Sequence, residues 1–231
     1  MRPHNASNLG SVARVAKNFG LEGFSVVEPA VLPDPDSARL AVGAASLLGA
    51  IARHPSLEAA VAEFPVVVTT SSMRGRGRTR LLELSELPGF LAETGGVPAA
   101  FVFGPERSGL TEEELSRASA CLRLPTDEAF PTMNLSHAVA LVLGVATAFA
   151  PAESEIAEPP EPWAPAAEIE SAIAHWDRAL DAIAFYDTGH RERSLLDWRR
   201  LVAGRPMTMR EVAILRGVAN RVLVTLRRQA P

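Results

Sequence analysis

Short β-type segments alternate with helical segments over residues 1–150 of this 231-residue chain. The β-type runs are Phe24–Glu28, Pro65–Thr70, Ala99–Phe103 and Cys121–Leu124. Apolar side chains at helical spacing lie between them, near Asp36–Leu48, Ser56–Phe64 and Thr111–Ala120. Strands that alternate with helices favour a parallel sheet covered by helices on its faces. The sequence therefore predicts an α/β fold.

The chain begins with a helical pattern. Residues Asn8–Phe19 carry apolar side chains at helical spacing, and Gly20 stands where a left-handed C-cap ends a helix. A parallel α/β domain ordinarily opens with a buried strand, and none precedes this helix. We therefore expect residues 1–150 to form an α/β domain whose first strand is missing.

The C-terminal part of the chain has a different composition. Residues 151–168 are rich in Pro, Ala and Glu without hydrophobic periodicity, which is typical of a linker. Beyond them, Ile169–Ile183 and Met209–Arg228 each carry one apolar stripe. The sequence predicts a small helical module over residues 169–231.

The charge follows the same division. Residues 151–170 contain 6 acidic and no basic side chains, whereas residues 171–231 contain 11 basic and 6 acidic ones. A positive module behind an acidic tether favours a polyanionic partner. The alternative is that an arginine-rich, alanine-rich composition reflects the base composition of the genome.

Several classes of protein are disfavoured by the sequence. The single cysteine, Cys121, cannot form an internal disulfide, and no signal peptide opens the chain, so we expect a cytoplasmic protein. The apolar run Leu135–Ala150 is shorter than the roughly 20 residues that a membrane span needs. The histidines have no metal-ligand spacing with the cysteine, and the glycine patterns of dinucleotide-binding and P-loop sites are absent. We predict that the protein binds no metal ion and does not associate with a membrane.

Two polar loops that lead into helices have the composition of ligand sites. In Asn5–Arg14, backbone amides at a helix N-terminus together with Arg14 could bind a phosphate. In Pro131–Ser136, polar side chains precede the apolar helix. Ordinary helix capping explains either loop equally well, through Ser7 or Asn8 in the first and Thr132 or Asn134 in the second.

A third segment, Phe101–Leu110, joins a strand to a helix. Its two glycines permit close backbone approach, and Glu106 stands in the loop. Thr111 and Glu114 fit a capping box, which predicts that a helix starts there. In open α/β sheets, ligands bind at such carboxyl ends of strands. A capped turn with a surface glutamate is the alternative.

These three segments, in this order and at these separations, resemble the signature motifs of the SpoU branch of the SPOUT RNA methyltransferases. The family forms read N-x-G-x-x-x-R, F-G-x-E-x-x-G-L and S-L-N-L. The matching residues are Asn8, Gly10 and Arg14, then Phe103–Leu110, then Thr132–Leu135, with Thr132 and Met133 in place of the usual Ser and Leu. The tail looks like the helical extension of TrmJ-type members through residues 185–189, Leu201–Arg205 and Glu211–Gly217.

The resemblance implies an α/β knot, in which the chain threads a trefoil and the knot binds S-adenosylmethionine. Such threading is rare among folds. Carried over by motif, the cofactor-binding residues are Thr70, Ser71, Ser72, Gly104, Leu124, Pro131, Thr132 and Met133.

The resemblance also implies catalytic roles. An isolated guanidinium stays protonated and cannot act as a base. We expect Arg14, paired with an RNA phosphate, to orient the ribose 2′-hydroxyl and stabilise its developing negative charge. Asn8 and Asn134 would position the ribose and the loop, and Glu106 would support the hydrogen-bond network of the site.

Four arginines follow the predicted cofactor loop: Arg74, Arg76, Arg78 and Arg80. Spaced by Gly and Thr, they could follow phosphates without reading bases. A solvated surface loop is the alternative.

The resemblance implies a homodimer that methylates the ribose of tRNA nucleotide 32 in the anticodon loop. The helix at Leu135–Phe149 is the expected dimer contact, although burial within one subunit would also explain its composition. A ribosomal RNA substrate, or a non-catalytic RNA-binding module that retains the knot, are the alternative functions.

Overall fold

The computed structural model describes residues 1–71, 80–105, 107–148, 161–186 and 190–229. Its six strands are β1 (Ser25–Val27), β2 (Ala52–His54), β3 (Val66–Ser71), β4 (Leu81–Glu83), β5 (Ala99–Val102) and β6 (Ala120–Arg123). All strand pairs are parallel: β1 pairs with β2, and a four-stranded sheet has the order β4-β6-β3-β5. The predicted parallel α/β fold is confirmed, and the trefoil knot stays a prediction.

Ten α-helices cover the sheet and form the C-terminal part of the described chain. They are α1 (Ala6–Asn18), α2 (Pro35–Leu40), α3 (Ala45–Gly49), α4 (Leu57–Val61), α5 (Leu87–Glu93), α6 (Glu112–Ser116), α7 (Leu135–Ala148), α8 (Ala166–Ala182), α9 (Arg191–Ala203) and α10 (Met209–Gln229). A 3-10 turn, Leu84–Glu86, precedes α5. The helical pattern near Asp36–Leu48 forms two helices, because Gly43 adopts a φ of +72° and separates α2 from α3.

The four-stranded sheet is buried on both faces, because successive strand residues point to opposite sides. Val66 and Val68 of β3 pack in a core with Phe90 of α5 and Val142 of α7. Val67 lies in a second core with residues of α4 and α6. Strands with both faces buried read as continuous apolar runs, which is why β3 was recognisable from sequence.

Helix α1 packs against α7, and the residues before it contact the ends of two strands. Val12 packs against Val139 and Leu143 of α7, and Gly20 closes the helix with a φ of +74°, as predicted. The amino group of Met1 donates to the Phe103 carbonyl at 2.9 Å. The backbone N–H of Arg2 donates to the Val27 carbonyl at 2.8 Å, so residues 1 and 2 lie between the ends of β5 and β1.

The segment before α8 is packed against the rest of the chain. Trp163 forms an isolated bridge with Thr208, and its indole N–H donates to the Thr94 carbonyl at 2.9 Å. The Ala166 N–H donates to the Phe64 carbonyl at 3.0 Å. Helix α8 therefore begins at Ala166, ahead of the start expected at Ile169, and the linker ends before residue 168. Backbone hydrogen bonds hold this segment, and side-chain periodicity cannot reveal them.

An ionic cluster joins α6 to the C-terminal helices. The Arg117 side chain is only 9% exposed and contacts carboxylates of Glu58, Glu113 and Glu170. Glu170 on α8 also pairs with Arg199 on α9 at 3.1 Å. The cluster therefore links four helices, α4, α6, α8 and α9, from distant parts of the sequence.

The variant Arg117→Met should lower the free energy of unfolding by about 2–3 kcal/mol, because it removes the buried cation that Glu58 and Glu113 contact and leaves Glu170 paired with Arg199 alone. Chemical denaturation followed by tryptophan fluorescence measures this loss. Arg39→Met is the control, since the Arg39–Asp36 pair is exposed and such pairs contribute about 0–1 kcal/mol. Equal denaturation midpoints for Arg117→Met and the unaltered protein would contradict the assigned role.

Candidate cofactor site and catalytic residues

A cavity of about 170 Å³ opens where three neighbouring strands end. Strand β3 lies between β5 and β6, and all three run in the same direction, so their carboxyl ends meet at one edge of the sheet. The chain leaves this edge as Thr70–Ser71, Phe103–Leu110 and Leu124–Thr126, and residues of all three segments line the cavity. This is the edge at which open parallel sheets bind ligands.

The cavity brings together seven of the eight predicted cofactor-binding residues. Those lining it are Thr70, Ser71, Gly104, Leu124, Pro131, Thr132 and Met133. Ser72 lies outside the described residues. The side chains that line the cavity are mainly aliphatic and hydroxyl-bearing, which suits a ligand with an apolar ring and several hydrogen-bonding groups.

The loop after β5 is closed by its two glycines. A Cβ on Gly104 would lie 2.7 Å from the Gly109 carbonyl carbon and 2.8 Å from the Leu110 nitrogen. Gly109 has a φ of +65°, and its N–H donates to the Pro105 carbonyl at 2.8 Å. Both positions therefore require glycine, which explains their place in the motif.

The predicted capping box after this loop is confirmed. The Glu114 N–H donates to Thr111 Oγ1 at 3.2 Å, and the Thr111 N–H donates to Glu114 Oε2 at 2.7 Å. Burial alone would raise the pKa of Glu114, but hydrogen bonds from Arg2 and Thr111 outweigh it and lower that pKa. The cap fixes the start of α6 and so holds in place the C-terminal end of the loop between β5 and α6, which lines the cavity.

Sequence reasoning missed several residues that line the cavity. They include Arg107, Ser108, Leu115, Thr126, Leu135 and Ala138. Arg107 and Ser108 lie inside a segment that the motif had already marked, so their position was a usable signal. Thr126 follows β6 without any local pattern, and only the sheet order shows that it reaches this edge.

Asn8 and Asn134, from the first and third motifs, meet directly. The Asn134 amide donates from Nδ2 to Asn8 Oδ1 at 3.1 Å. Asn134 Oδ1 accepts hydrogen bonds from the Ser136 N–H at 2.9 Å and the Ser136 hydroxyl at 2.8 Å. Because Leu135 lines the cavity, this pair joins α1 to the cavity edge.

Arg14 is not among the residues that line this cavity. It is exposed on α1, six positions after Asn8, and the helical repeat places the two side chains about 120° apart around the axis. Asn8 therefore faces the cavity edge, where Asn134 contacts it, whereas Arg14 projects into solvent. The fourth predicted catalytic residue, Glu106, lies outside the described residues.

The glycine of the first motif has a packing role. A Cβ on Gly10 would lie 2.0 Å from the Ser37 carbonyl oxygen. Ser37 is held in place by a capping box with Asp34 at the start of α2. Gly10 therefore allows the backbones of α1 and α2 to touch, which positions α1 for the Asn8 contact.

Of the four predicted RNA-binding arginines, Arg80 is described and Arg74, Arg76 and Arg78 lie outside the described residues. The Arg80 guanidinium pairs with Glu93 at 2.9 Å and lies over the Phe90 ring, 5.1 Å from its centroid. This pairing raises the pKa of Arg80. The guanidinium is thus oriented by protein contacts and partly exposed.

Within the described ranges, no group of three or more His, Cys, Asp and Glu side chains could hold a metal ion. None of the helices described there is long and apolar enough to cross a membrane.

Two family profiles match the chain. The profile of the SpoU rRNA methylase family matches residues 1–144. The profile of the tRNA methyltransferase TrmJ C-terminal domain matches residues 167–231. The two matches together span both the cavity and the C-terminal helices.

Individual relatives cover the chain almost end to end. A protein of Citrobacter koseri, named tRNA (cytidine/uridine-2′-O-)-methyltransferase TrmJ, is 31% identical over 222 residues, covering 93% of this chain and 90% of the relative. The protein of the same name from Escherichia coli K12 is 31% identical over 224 residues, covering 93% and 89%. The crystal structure of TrmJ from Z. mobilis ZM4 superposes with a TM-score of 0.82 at 26% identity, covering 96% of each chain. This chain therefore belongs to the SpoU family of methyltransferases and is of the TrmJ type.

Proposed function

We propose that this protein transfers a methyl group from S-adenosylmethionine to a ribose 2′-hydroxyl of tRNA, at nucleotide 32 of the anticodon loop. The observation that carries the proposal is the meeting of the three motifs at one edge of the sheet. The second and third motifs line the cavity, and the Asn134–Asn8 hydrogen bond ties the first motif to it.

The cavity suits S-adenosylmethionine. Leu110, Leu124 and Met133 offer an apolar surface for the adenine ring, and hydroxyls of Thr70 and Ser108 lie among the lining residues. When bound, the cofactor supplies an electrophilic methyl group on a sulfonium. The contribution of the chain is to hold the acceptor hydroxyl in line with that methyl group and to stabilise the charge that develops on the oxygen.

Arg14 fits this second task if the protein is a homodimer. Since Arg14 faces away from its own cavity, we infer that it serves the cavity of a second copy. Helix α7 is the contact expected for that copy, and its small residues Ala140 and Gly144 are half-buried. Small side chains let a second helix approach closely.

The RNA would extend from the cavity towards the C-terminal helices. A groove of about 640 Å³ is lined by Arg80 together with Phe185, Trp198, Arg200 and Arg205. The Phe185 ring is exposed, whereas the Trp198 ring is half-buried and stacks on Trp176. Aromatic rings among guanidinium groups are typical of single-stranded nucleic acid sites. In the sequence, Arg74, Arg76 and Arg78 precede Arg80 and add positive charge to this segment.

Two observations favour tRNA over ribosomal RNA. Relatives at 31% identity are named as tRNA (cytidine/uridine-2′-O-)-methyltransferases, and the C-terminal helices match a TrmJ domain. The C-terminal helices are also fastened to the catalytic part through Arg117, so a substrate that contacts both is held in a fixed geometry. A tRNA substrate agrees with the cytoplasmic location that the sequence predicts.

The test is methyl transfer from labelled S-adenosylmethionine to unmodified tRNA, with the product mapped by nucleotide. Label on the 2′-hydroxyl of nucleotide 32 is the expected result. A tRNA that already carries this methyl group is the matched control and should accept none. Label in ribosomal RNA and none in tRNA would overturn the substrate, and no label in either, with intact cofactor binding, would favour a non-catalytic RNA-binding protein.

A further inference from the structure

The loop between β5 and α6 presents one charged side chain to the cavity that no motif assigned. The loop is closed at its base by the contact of Gly104 with Gly109 and by the hydrogen bond from Gly109 to Pro105. Arg107 and Ser108 form a turn between these fixed points, and both line the cavity. The loop therefore holds the Arg107 backbone in place at the cavity mouth.

Arg107 is the one charged residue among the described residues that line the cavity. It is exposed, and within the described part of the chain its guanidinium makes no ion pair. Other arginines near the ends of the sheet are engaged: Arg80 pairs with Glu93 and Arg123 pairs with Glu83. The guanidinium N–H donors of Arg107 are therefore available to a ligand bound in the cavity.

We propose that Arg107 binds the carboxylate of S-adenosylmethionine and so fixes the methionine end of the cofactor. The inference rests on the proposed function, in which this cavity holds that cofactor. A guanidinium presents paired N–H donors that match the two oxygens of a carboxylate. The other described lining side chains are uncharged, so they can hold the adenosine part but cannot neutralise the carboxylate.

Methyl transfer also requires that the sulfonium of the cofactor is held in a fixed orientation, and Arg107 is placed to do this. The methyl group is transferred in line, so the sulfonium must not rotate about the adenosine when the acceptor hydroxyl arrives. An anchor at the adenosine alone leaves the methionine chain free. A second anchor at the carboxylate fixes the chain on the far side of the sulfur. Arg107 is therefore a cofactor-positioning residue.

The experiment compares two ligands by titration calorimetry without RNA. S-adenosylmethionine and its decarboxylated form share the adenosine, the sulfonium and the amine, and they differ in the carboxylate. Arg107→Ala should weaken binding of S-adenosylmethionine about tenfold, since a hydrogen bond to a charged group typically contributes that much. It should leave binding of the decarboxylated form unchanged. Arg39→Ala removes a surface arginine of α2 and should change neither affinity.

Each other outcome overturns the assignment. Equal affinities of the Arg107→Ala variant and the unaltered protein for both ligands would show that Arg107 does not contact the cofactor. Equal weakening of both ligands would place its effect on the adenosine part or on the loop fold. Unchanged cofactor binding with weaker and less salt-dependent RNA binding would assign Arg107 to an RNA phosphate. Because calorimetry needs no RNA, a failure here is distinct from a failure to methylate tRNA.

Discussion

Replacement of Arg14 by alanine should lower the rate of methyl transfer to tRNA about a hundredfold to a thousandfold. That range is typical for the loss of one donor that stabilises a developing oxyanion. Arg14 is exposed on α1 and is separate from the residues that line its own cavity. We therefore expect the affinity for S-adenosylmethionine, measured by calorimetry, to remain that of the unaltered protein.

Lys17→Ala is the matched control, because it removes another exposed cation from α1 and should leave turnover nearly unchanged. A second arm tests whether Arg14 acts across a dimer. Chains carrying Arg14→Ala and chains carrying Asn134→Ala should each be inactive alone. When mixed, they should regain activity if one cavity can combine its own Asn134 with the Arg14 of a second copy. Unchanged turnover of Arg14→Ala would reject its catalytic role, and no recovery on mixing would reject the shared site.

Gly10→Ala should lower the free energy of unfolding by about 3 kcal/mol, at the upper end of the usual cost of overpacking. An added Cβ would meet three backbone atoms of Ser37 at 2.0, 2.7 and 2.9 Å. Backbone cannot rotate away as a flexible side chain can, so α1 and α2 must separate. The slight gain in helix propensity from alanine, about 1 kcal/mol, does not offset this clash.

Urea denaturation measures the effect. Gly89→Ala is the matched control: Gly89 lies in α5, and nothing stands within 4 Å of an added Cβ. That variant should be as stable as the unaltered protein or slightly more so. Because α1 also carries Asn8, the Gly10→Ala variant should lose methyl transfer even where it remains folded. A Gly10→Ala protein with unaltered stability would show that the α1–α2 contact is looser than described.

Much of the cofactor site was predictable because its residues lie in three short, contiguous segments. Gly104 and Gly109 were recognisable since the backbone geometry of the loop tolerates no side chain at these positions. Asn8 and Asn134 were predicted separately, but their hydrogen bond joins residues 126 positions apart. Sequence patterns extend over neighbouring residues only, so they could not predict that these two side chains pair.

The elements of the fold also divide into those that the sequence predicted and those that it did not. Strand β3 and helices α1 and α7 were predicted because their apolar side chains follow a strand or helix pattern. Strands β2 and β4 were missed, because Ala-Arg-His and Leu-Leu-Glu lack the β-branched residues that made the equally short β1 recognisable. Helix α8 begins at Ala166, inside the predicted linker, where the backbone N–H groups of Ala166 and Ala167 donate to the Phe64 and Ala62 carbonyls. Side-chain periodicity gives no signal for such backbone contacts.

The sequence by itself determined the class of fold and the chemistry available to this protein, because periodicity and motif composition are local properties of the chain. Tertiary structure alone decided which motif residues meet. Parallel strand order placed Thr126 and Arg107 at the cavity, and the rotation of α1 turned Arg14 away from it. It also fastened the C-terminal helices to α6 through Arg117 and Glu170. Such arrangements depend on contacts between residues far apart in sequence, which no local pattern encodes.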